Sequence, residues 1–216
     1  MELATRSLPT AGLAPSAHLD LAALVGPAGW HRLPPAVQRR FAAAHADTAY
    51  CGALDLHCSA LGRCFAAFSA VFGGPLTPLR NAGVAAEVRV YGNGRGGVVW
   101  ERRLHATSSA GVRVVRSTKE LGSGGGLVER TDGGLAMALD VFEEDGALVF
   151  ESRRYFLALG GLRLPIPRWL TPGTCRVEHR DLGGGRFRFS LSMVHPWWGR
   201  TFHQSGVFAD PKEDLS

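Results

Sequence analysis

Apolar and polar residues follow two different rhythms along this chain of 216 residues. From Leu33 to Gly74 there are two stretches whose apolar positions recur as on one face of a helix. In LPPAVQRRFAAAHAD the prolines suit a first helical turn, and Val37, Phe41 and Ala44 then share a face. In CSALGRCFAAFSAVFGG the residues Leu61, Cys64, Phe65, Phe68, Val71 and Phe72 recur in the same way, and Gly73, Gly74 and Pro75 end the segment. Arg63 is the only charge inside it, which predicts a largely covered helix packed in the core. Docking on a membrane surface is the alternative for so apolar a helix. Residues 1–30 are rich in Ala, Pro, Gly and Ser and read as a flexible tail, with one helical turn near HLDLAALV.

From about Val84 onward the period is two. It predicts strands at 85–92, 97–105, 112–120, 126–131, 135–143, 148–157, 175–182, 186–195 and 200–208. Short glycine-bearing connections make successive strands antiparallel neighbours. Eight or nine of them in chain order twist until they close into a barrel or curl around a helix. The stretch LGGLRLPIPRWLTPG, with Pro165, Pro167 and Pro172, is excluded from a central strand and reads as a surface crossing or an edge. The predicted fold class is therefore mainly antiparallel β. It is an up-and-down meander of eight to nine strands, in a curved sheet or a lipocalin-like barrel, with N-terminal α-helices packing on it. A single domain covers 31–211, and 212–216 is a second tail.

Turn chemistry sets the register. Asp145-Gly146 is a type I′ pair, which places Val141 opposite Phe150, Leu139 opposite Ser152 and Met137 opposite Arg154. It also sets Asp140 against Glu151, a repulsion for Arg153 or Arg130 to neutralise. In EVRVYGNGRGGVVWERR a four-residue loop at 93–96 pairs Arg89 with Trp100 and Glu87 with Arg102, a cation–π contact and an ion pair that favour it over a two-residue turn. In RFRFSLSMVHPWWGRTFHQSGVF a loop at 196–199 pairs His195 with Arg200, Met193 with Phe202, Leu191 with Gln204 and Phe189 with Gly206. His195 then lies on the apolar face and His203 on the polar one with Arg188, Ser190, Ser192 and Ser205. Residues on opposite faces of a sheet share neither a proton nor a metal. Gln204 stands alone among phenylalanines, with Gly206 leaving room beside it. A buried amide needs partners, which here are a loop backbone, a buried water or a ligand.

Charge and composition narrow the chemistry. The net charge is +5 and the sequence pI about 9.4, but the basic residues are dispersed arginines with only Lys119 and Lys212 as lysines. No basic run predicts a nucleic-acid groove. Cys51, Cys58, Cys64 and Cys175 form neither a Cys-x-x-Cys pair nor a zinc spacing. No metal site is predicted. The N-terminus has an acid at position two and no unbroken apolar core, and no run of about twenty apolar residues occurs. The expectation is a cytoplasmic chain with no membrane span, whose reduced cysteines are small buried hydrophobes. Gly92-x-Gly94-x-Gly96 and the glycines of 122–126 look like phosphate loops, but neither opens a helix, so no cofactor is predicted. Ser190, Ser192 and Ser205 share a face with His203, and Asp140 or Asp181 would complete a triad. There is no nucleophile elbow, and no catalytic residue is predicted.

Several stretches resemble a known bacterial family, the domain of unknown function 4166. They are WERRL at 100–104, LVER…GGLAMAL at 127–139, GALVFESRRYFLALGGLRLPIPRWLTPG at 146–173, VEHRD at 177–181 and HPWWGRTFHQSGVF at 195–208. LPPAVQRRFA resembles the family's start, so the likeness covers roughly 31–211. Members also occur behind a short-chain or saccharopine-type dehydrogenase domain. The resemblance thus implies an accessory module, here without a Rossmann half, and carries over no catalytic residue.

The sequence points first to a non-catalytic binding module that encloses an apolar pocket for a hydrophobic or lipid-like small molecule. Phe150, Phe156, Phe187, Phe189, Met193 and Phe202 would form its wall, and Gln204, His195 and Arg154 its polar contacts. The first alternative is an interaction domain that docks a dehydrogenase-type partner through Trp197 and Trp198 or the 161–173 segment. The second is a hydrolase or isomerase on a barrel scaffold.

Overall fold

At the tip of the tightest hairpin Asp145 and Gly146 both take positive φ, 49° and 76°, the turn whose twist matches that of the strands it joins. Short turns of this kind lay each strand antiparallel beside the last. The computed structural model describes residues 19–42, 47–74, 76–105, 111–160 and 162–211. Three helices come first: α1 (Leu21–Val25), α2 (Pro27–Arg32) and α3 (Pro35–Ala42). Strand β1 (Thr48–Cys58) and helix α4 (Ala60–Ala70) follow. Then come β2 (Asn81–Gly92), β3 (Val98–His105), β4 (Val112–Leu121), β5 (Leu127–Arg130), β6 (Leu135–Glu144) and β7 (Ala147–Leu159). The chain ends with β8 (Leu162–Ile166), a 3₁₀ turn at Arg168–Leu170, β9 (Thr174–Gly183), β10 (Arg186–His195) and β11 (Gly199–Ala209).

The strands run in chain order around a ring, β1 to β7, then β9, β10 and β11, and β11 pairs back on β1. This is a closed antiparallel barrel of ten strands. β8 pairs with β7 at 155–159 and β9 pairs with it at 147–151, so the two share one place in the ring. The count exceeds the eight or nine expected because β1 and β8 are added. β1 lies between the two helical stretches, and β8 is the proline-bearing segment, tolerated at an edge.

The two ends differ. Beneath β2–β3, β4–β5, β6–β7 and β9–β10, helices α1 to α3 close the barrel. Leu19, Leu21, Leu33, Val37 and Phe41 pack with Val98, Leu127, Leu139, Leu148 and Phe150. Asp20 caps α1 by accepting from the Ala23 N–H, and the Leu19 N–H donates to the Gly96 carbonyl. Residues 19–30 are therefore folded onto the barrel, where weak periodicity left them in the tail; their few apolar side chains are spent on one plug. Residues 1–18 and 212–216 lie outside the described residues.

At the other end α4 lies against β1 and β11, capped by Ser59 accepting from the Gly62 N–H. It buries its small residues, Gly62, Ala66 and Ser69. A Cβ on Gly62 would stand 2.4 Å from the Thr201 carbonyl oxygen, so only glycine permits this approach. The expectation of a largely covered helix is corrected: Phe68 is 63% and Val71 79% exposed. The cysteines also divide. Cys58 and Cys175 are buried, whereas Cys51 and Cys64 are exposed, and none is in a disulfide.

Candidate functional site

What faces the barrel interior is decided hairpin by hairpin. Between β2 and β3 the loop spans five residues, 93–97, because Gly92 pairs with Val98. The Asn93 carboxamide accepts from the backbone N–H groups of Arg95 and Gly97, and Gly94 and Gly96 take positive φ, which fixes the longer loop. The expected pairs Arg89–Trp100 and Glu87–Arg102 therefore do not form. Arg89 meets Glu101 across the strands and pairs with Asp47, while Arg102 meets Val88. One residue of loop length leaves Arg102 inside the barrel with no carboxylate opposite it.

The next strands add more charge. Across β4 and β5 Lys119 pairs with Glu129 at 3.2 Å, and the Ser117 hydroxyl donates to Glu129 at 2.6 Å. The Lys119 ammonium also lies 4.8 Å from the centre of the Trp100 ring. Burial pushes the Glu129 carboxyl up, but the Lys119 charge, the Ser117 hydrogen bond and the Arg102 charge together outweigh it, so its pKa is lowered. Burial lowers the Arg102 pKa, opposed by Glu129 and Cys175, though a guanidinium remains charged. Arg102 makes no hydrogen bond or ion pair among the described residues.

On β9, His179 is caged by Phe41, Trp100, Phe150, Phe187 and Phe189. Burial, with Lys119 and Arg40 nearby, lowers its pKa to about 3, so the imidazole is neutral. Its Nδ1 is buried without a partner. Cys175 points into the same space, and burial pushes its thiol up to about 12, which leaves it a poor nucleophile.

Opposite β6, β7 carries a bulge between Ser152 and Arg154. Val141–Phe150 and Leu139–Ser152 pair as expected, and Asp140 lies against Glu151 with Arg153 at 3.4 Å from Asp140. Past the bulge, Met137 faces Tyr155 instead of Arg154. Arg154 and Phe156 are thereby turned to the outer face, which corrects their placement in the pocket. Phe156 packs there with Val128 and Ala136, and Arg163 lies over its ring. Tyr155 points inward and donates to the Gly173 carbonyl at 3.0 Å.

The last hairpin keeps Met193–Phe202, Leu191–Gln204 and Phe189–Gly206. A bulge after Met193 then sets Val194, not His195, opposite Arg200. His195 is 1% exposed at the rim of the inner face; its ring stacks on Trp198 at 4.1 Å and its Nδ1 accepts from the Trp197 N–H. It borders neither chamber described below. Its predicted place among the polar contacts is corrected, because Phe65 and Trp198 cover it. Gly206 does not leave room beside Gln204. A Cβ there would lie 2.0 Å from the Ala53 carbonyl oxygen, so the glycine serves close strand approach.

Two adjoining chambers result. The deep one, about 70 Å³, is bordered by Arg102, Lys119, Glu129, His179 and Gln204 and by Phe187, Phe189, Met193 and Phe202. The mouth chamber, about 280 Å³, lies under α4 between Phe65, Phe68, Phe72, Leu135, Tyr155, Leu157, Ile166 and Leu170. Leu76, Ser117, Glu129, Met137 and Met193 border both. Phe150 is fully buried in the closed-end core and is not part of either wall. Gln204 makes no hydrogen bond among the described residues, and it borders the deep chamber.

Arg102, Lys119 and Glu129 escaped the sequence reading as site residues. The signal was their alternation with apolar neighbours: Val98, Trp100, Arg102 and Leu104 share one parity, as do Val115, Ser117 and Lys119. Outside the barrel, Ser192 and His57 flank His203, and no hydrogen bond joins His203 to Ser190, Ser192 or Ser205 among the described residues. No group of three or more His, Cys, Asp and Glu residues among them is placed to hold a metal ion. No described helix is long and apolar enough to cross a membrane.

The profile of the domain of unknown function DUF4166 matches residues 33–208, and the chain belongs to that family. No curated protein matches the sequence. Among solved structures, the siderocalin Ex-FABP, described as functioning through dual ligand specificities, is similar at 12% identity. The match covers 77% of this chain and 74% of that one, with a TM-score of 0.29.

Proposed function

We propose that this chain is a binding module that encloses a small hydrophobic or lipid-like molecule, with its apolar body in the mouth chamber. The carrying observation is that the two chambers adjoin across shared residues. An aromatic and aliphatic vestibule of about 280 Å³ lies next to a deeper space whose polar groups are few. Sites for small molecules have this composition, and their volumes run from roughly 300 to 1,000 Å³. Phe187, Phe189, Met193, Phe202 and Gln204 would contact the molecule at the inner end, and Phe65, Phe68 and Tyr155 at the outer. The Ser117 hydroxyl is bonded to Glu129, but Lys119 holds that carboxylate and its pKa is lowered, which makes it a weak base and favours binding over chemistry.

Native mass spectrometry of the purified protein tests this, followed by thermal shift across a lipid panel. A co-purified small molecule, or a shift of several degrees with particular lipids, is expected. Met137 borders both chambers, so Met137→Trp should fill the space where they meet and abolish the shift. A clean apo mass with no shift across the panel would overturn the reading.

A further inference from the structure

Arg40, Arg102, Lys119 and Glu129 are the charged groups bordering the deep chamber, and carboxylate contacts are shared unevenly among the cations. Arg40 is held by Asp181 at 2.9 Å and Asp210 at 2.6 Å. Lys119 and Glu129 hold each other. Arg102 has neither hydrogen bond nor ion pair among the described residues, and its surface opens on the chamber. A lysine in that position could shed its proton; a guanidinium cannot, so the charge stays. Unpaired buried charge is costly, and the deep chamber is the place left for its counter-ion.

We infer that the ligand carries one carboxylate and enters head first, with that carboxylate on Arg102. The inference rests on the enclosed-ligand reading above. A guanidinium fork matches a carboxylate through two parallel hydrogen bonds, and Arg102 is the cation on this chamber with no carboxylate in hydrogen-bond contact among the described residues. Gln204, unbonded and on the same chamber, supplies a further N–H donor. Polarity falls from this point outward through Met137 and Met193 to the phenylalanines under α4, so an alkyl chain trails toward the mouth.

Calorimetric titration with dodecanoate and with 1-dodecanol tests the assignment. The wild-type chain should bind the acid at least roughly tenfold more tightly than the alcohol. Arg102→Met should remove that preference and leave alcohol binding within about twofold of wild type. Equal binding of acid and alcohol by wild type, or a preference that survives Arg102→Met, overturns the carboxylate assignment and leaves the enclosed-ligand reading standing. Binding of neither probe overturns both. The wild-type comparison needs no variant, so the test holds even where Arg102→Met folds poorly.

The rim of the mouth has a chemistry of its own. Phe68, Val71, Trp169, Leu170 and Trp197 are all exposed there. The connections at this end, 59–80, 131–134, 160–173 and 196–198, contain Arg63, Arg80, Arg163 and Arg168 and a single acid, Asp132. None of those four arginines forms an ion pair among the described residues. We propose that this rim docks on an anionic lipid bilayer, with the tryptophans at headgroup depth and the arginines on lipid phosphates. Charge complementarity selects that occupant, because exposed apolar side chains beside arginines in no ion pair suit a surface that is both greasy and negative.

Co-sedimentation with phosphatidylcholine vesicles, with and without about a third phosphatidylglycerol, provides the test. Binding to the anionic vesicles only is expected, weakened by salt and reduced roughly tenfold or more by Trp169→Ala combined with Trp197→Ala. Absence of binding to anionic vesicles overturns the proposal in favour of a protein occupant. A lipid-free dimer that the same double variant dissociates overturns it in favour of a second copy of the chain.

Discussion

The closed end and the mouth of this barrel use helices in opposite ways. At the closed end α3 turns its large residues, Val37 and Phe41, into the barrel, where Phe41 meets Trp100, Phe150 and His179. Of the arginines at this end, Arg32, Arg40, Arg89 and Arg180 are held by carboxylates, whereas Arg39 and Arg95 are in no ion pair among the described residues. At the mouth α4 buries its small residues and leaves Leu61 and Phe68 exposed, with Phe65 half-buried over the chamber. Arg63, Arg80, Arg163 and Arg168 are in no ion pair among the described residues. A helix on its large stripe is fixed by area and shape, because each ring fills a hole. One on a small stripe is held chiefly by backbone proximity and leaves apolar surface for something else. The contrast separates the end that stabilises the fold from the end proposed to admit a ligand.

The sharpest way to break that contrast is to cut the plug. Phe41→Ala removes a 6%-exposed ring from the closed-end core and should cost about 3–5 kcal/mol, read as a lowered urea midpoint at unchanged slope. A loss below about 1 kcal/mol would mean that α3 is no more structural than α4.

A second effect comes from His179, beneath the plug. Its folded pKa, about 3, lies below the ordinary value of 6.5 because the ring is buried. Between those values the unfolded chain binds a proton that the folded one does not. Stability should therefore fall as pH drops from 6.5 toward 3, by ~1.4 kcal/mol per pH unit from this group. Carboxylates with lowered pKa add their own acid sensitivity, so the informative quantity is the difference between wild type and His179→Phe. The variant keeps the aromatic cage and should lose the His179 share of the slope. Parallel wild-type and variant profiles across this window would show that the imidazole is not held neutral.

Much of the interior was readable from turn chemistry. Asp145-Gly146 fixes Val141 against Phe150, and the 196–199 loop fixes Met193 against Phe202 and Leu191 against Gln204, because in each case the register depends on residues that touch in the chain. It failed where the register depends on something farther away. The bulges in β7 and after Met193 accommodate the bending of a closed barrel, and nothing local announces them. They moved Arg154 outward and His195 to the rim. The loop is one residue longer than the 93–96 expected from an Arg89–Trp100 contact and a Glu87–Arg102 pair, because the two backbone N–H groups bonded to the Asn93 side chain set its length. That single residue hid Arg102, the group on which the ligand's charge is argued. Helix α4 misled for a different reason: periodicity shows that a helix has an apolar stripe, not whether that stripe is the one it buries.

The smallest predicted effect on stability is also the most diagnostic of the mouth. Phe68 lines the mouth chamber with its inner edge and is 63% exposed on the other side. Phe68→Ala should change folding stability by no more than about 0.5 kcal/mol, since little of the ring is removed from water in the free protein. The same substitution should weaken both binding of a long-chain ligand and sedimentation with anionic vesicles, because both would cover that ring. A stability loss approaching that of Phe41→Ala would show that α4 is a second plug, and the distinction between the two ends would collapse. Unchanged stability with unchanged binding would leave the ring exposed for neither purpose, and would separate the chamber from the rim that surrounds it.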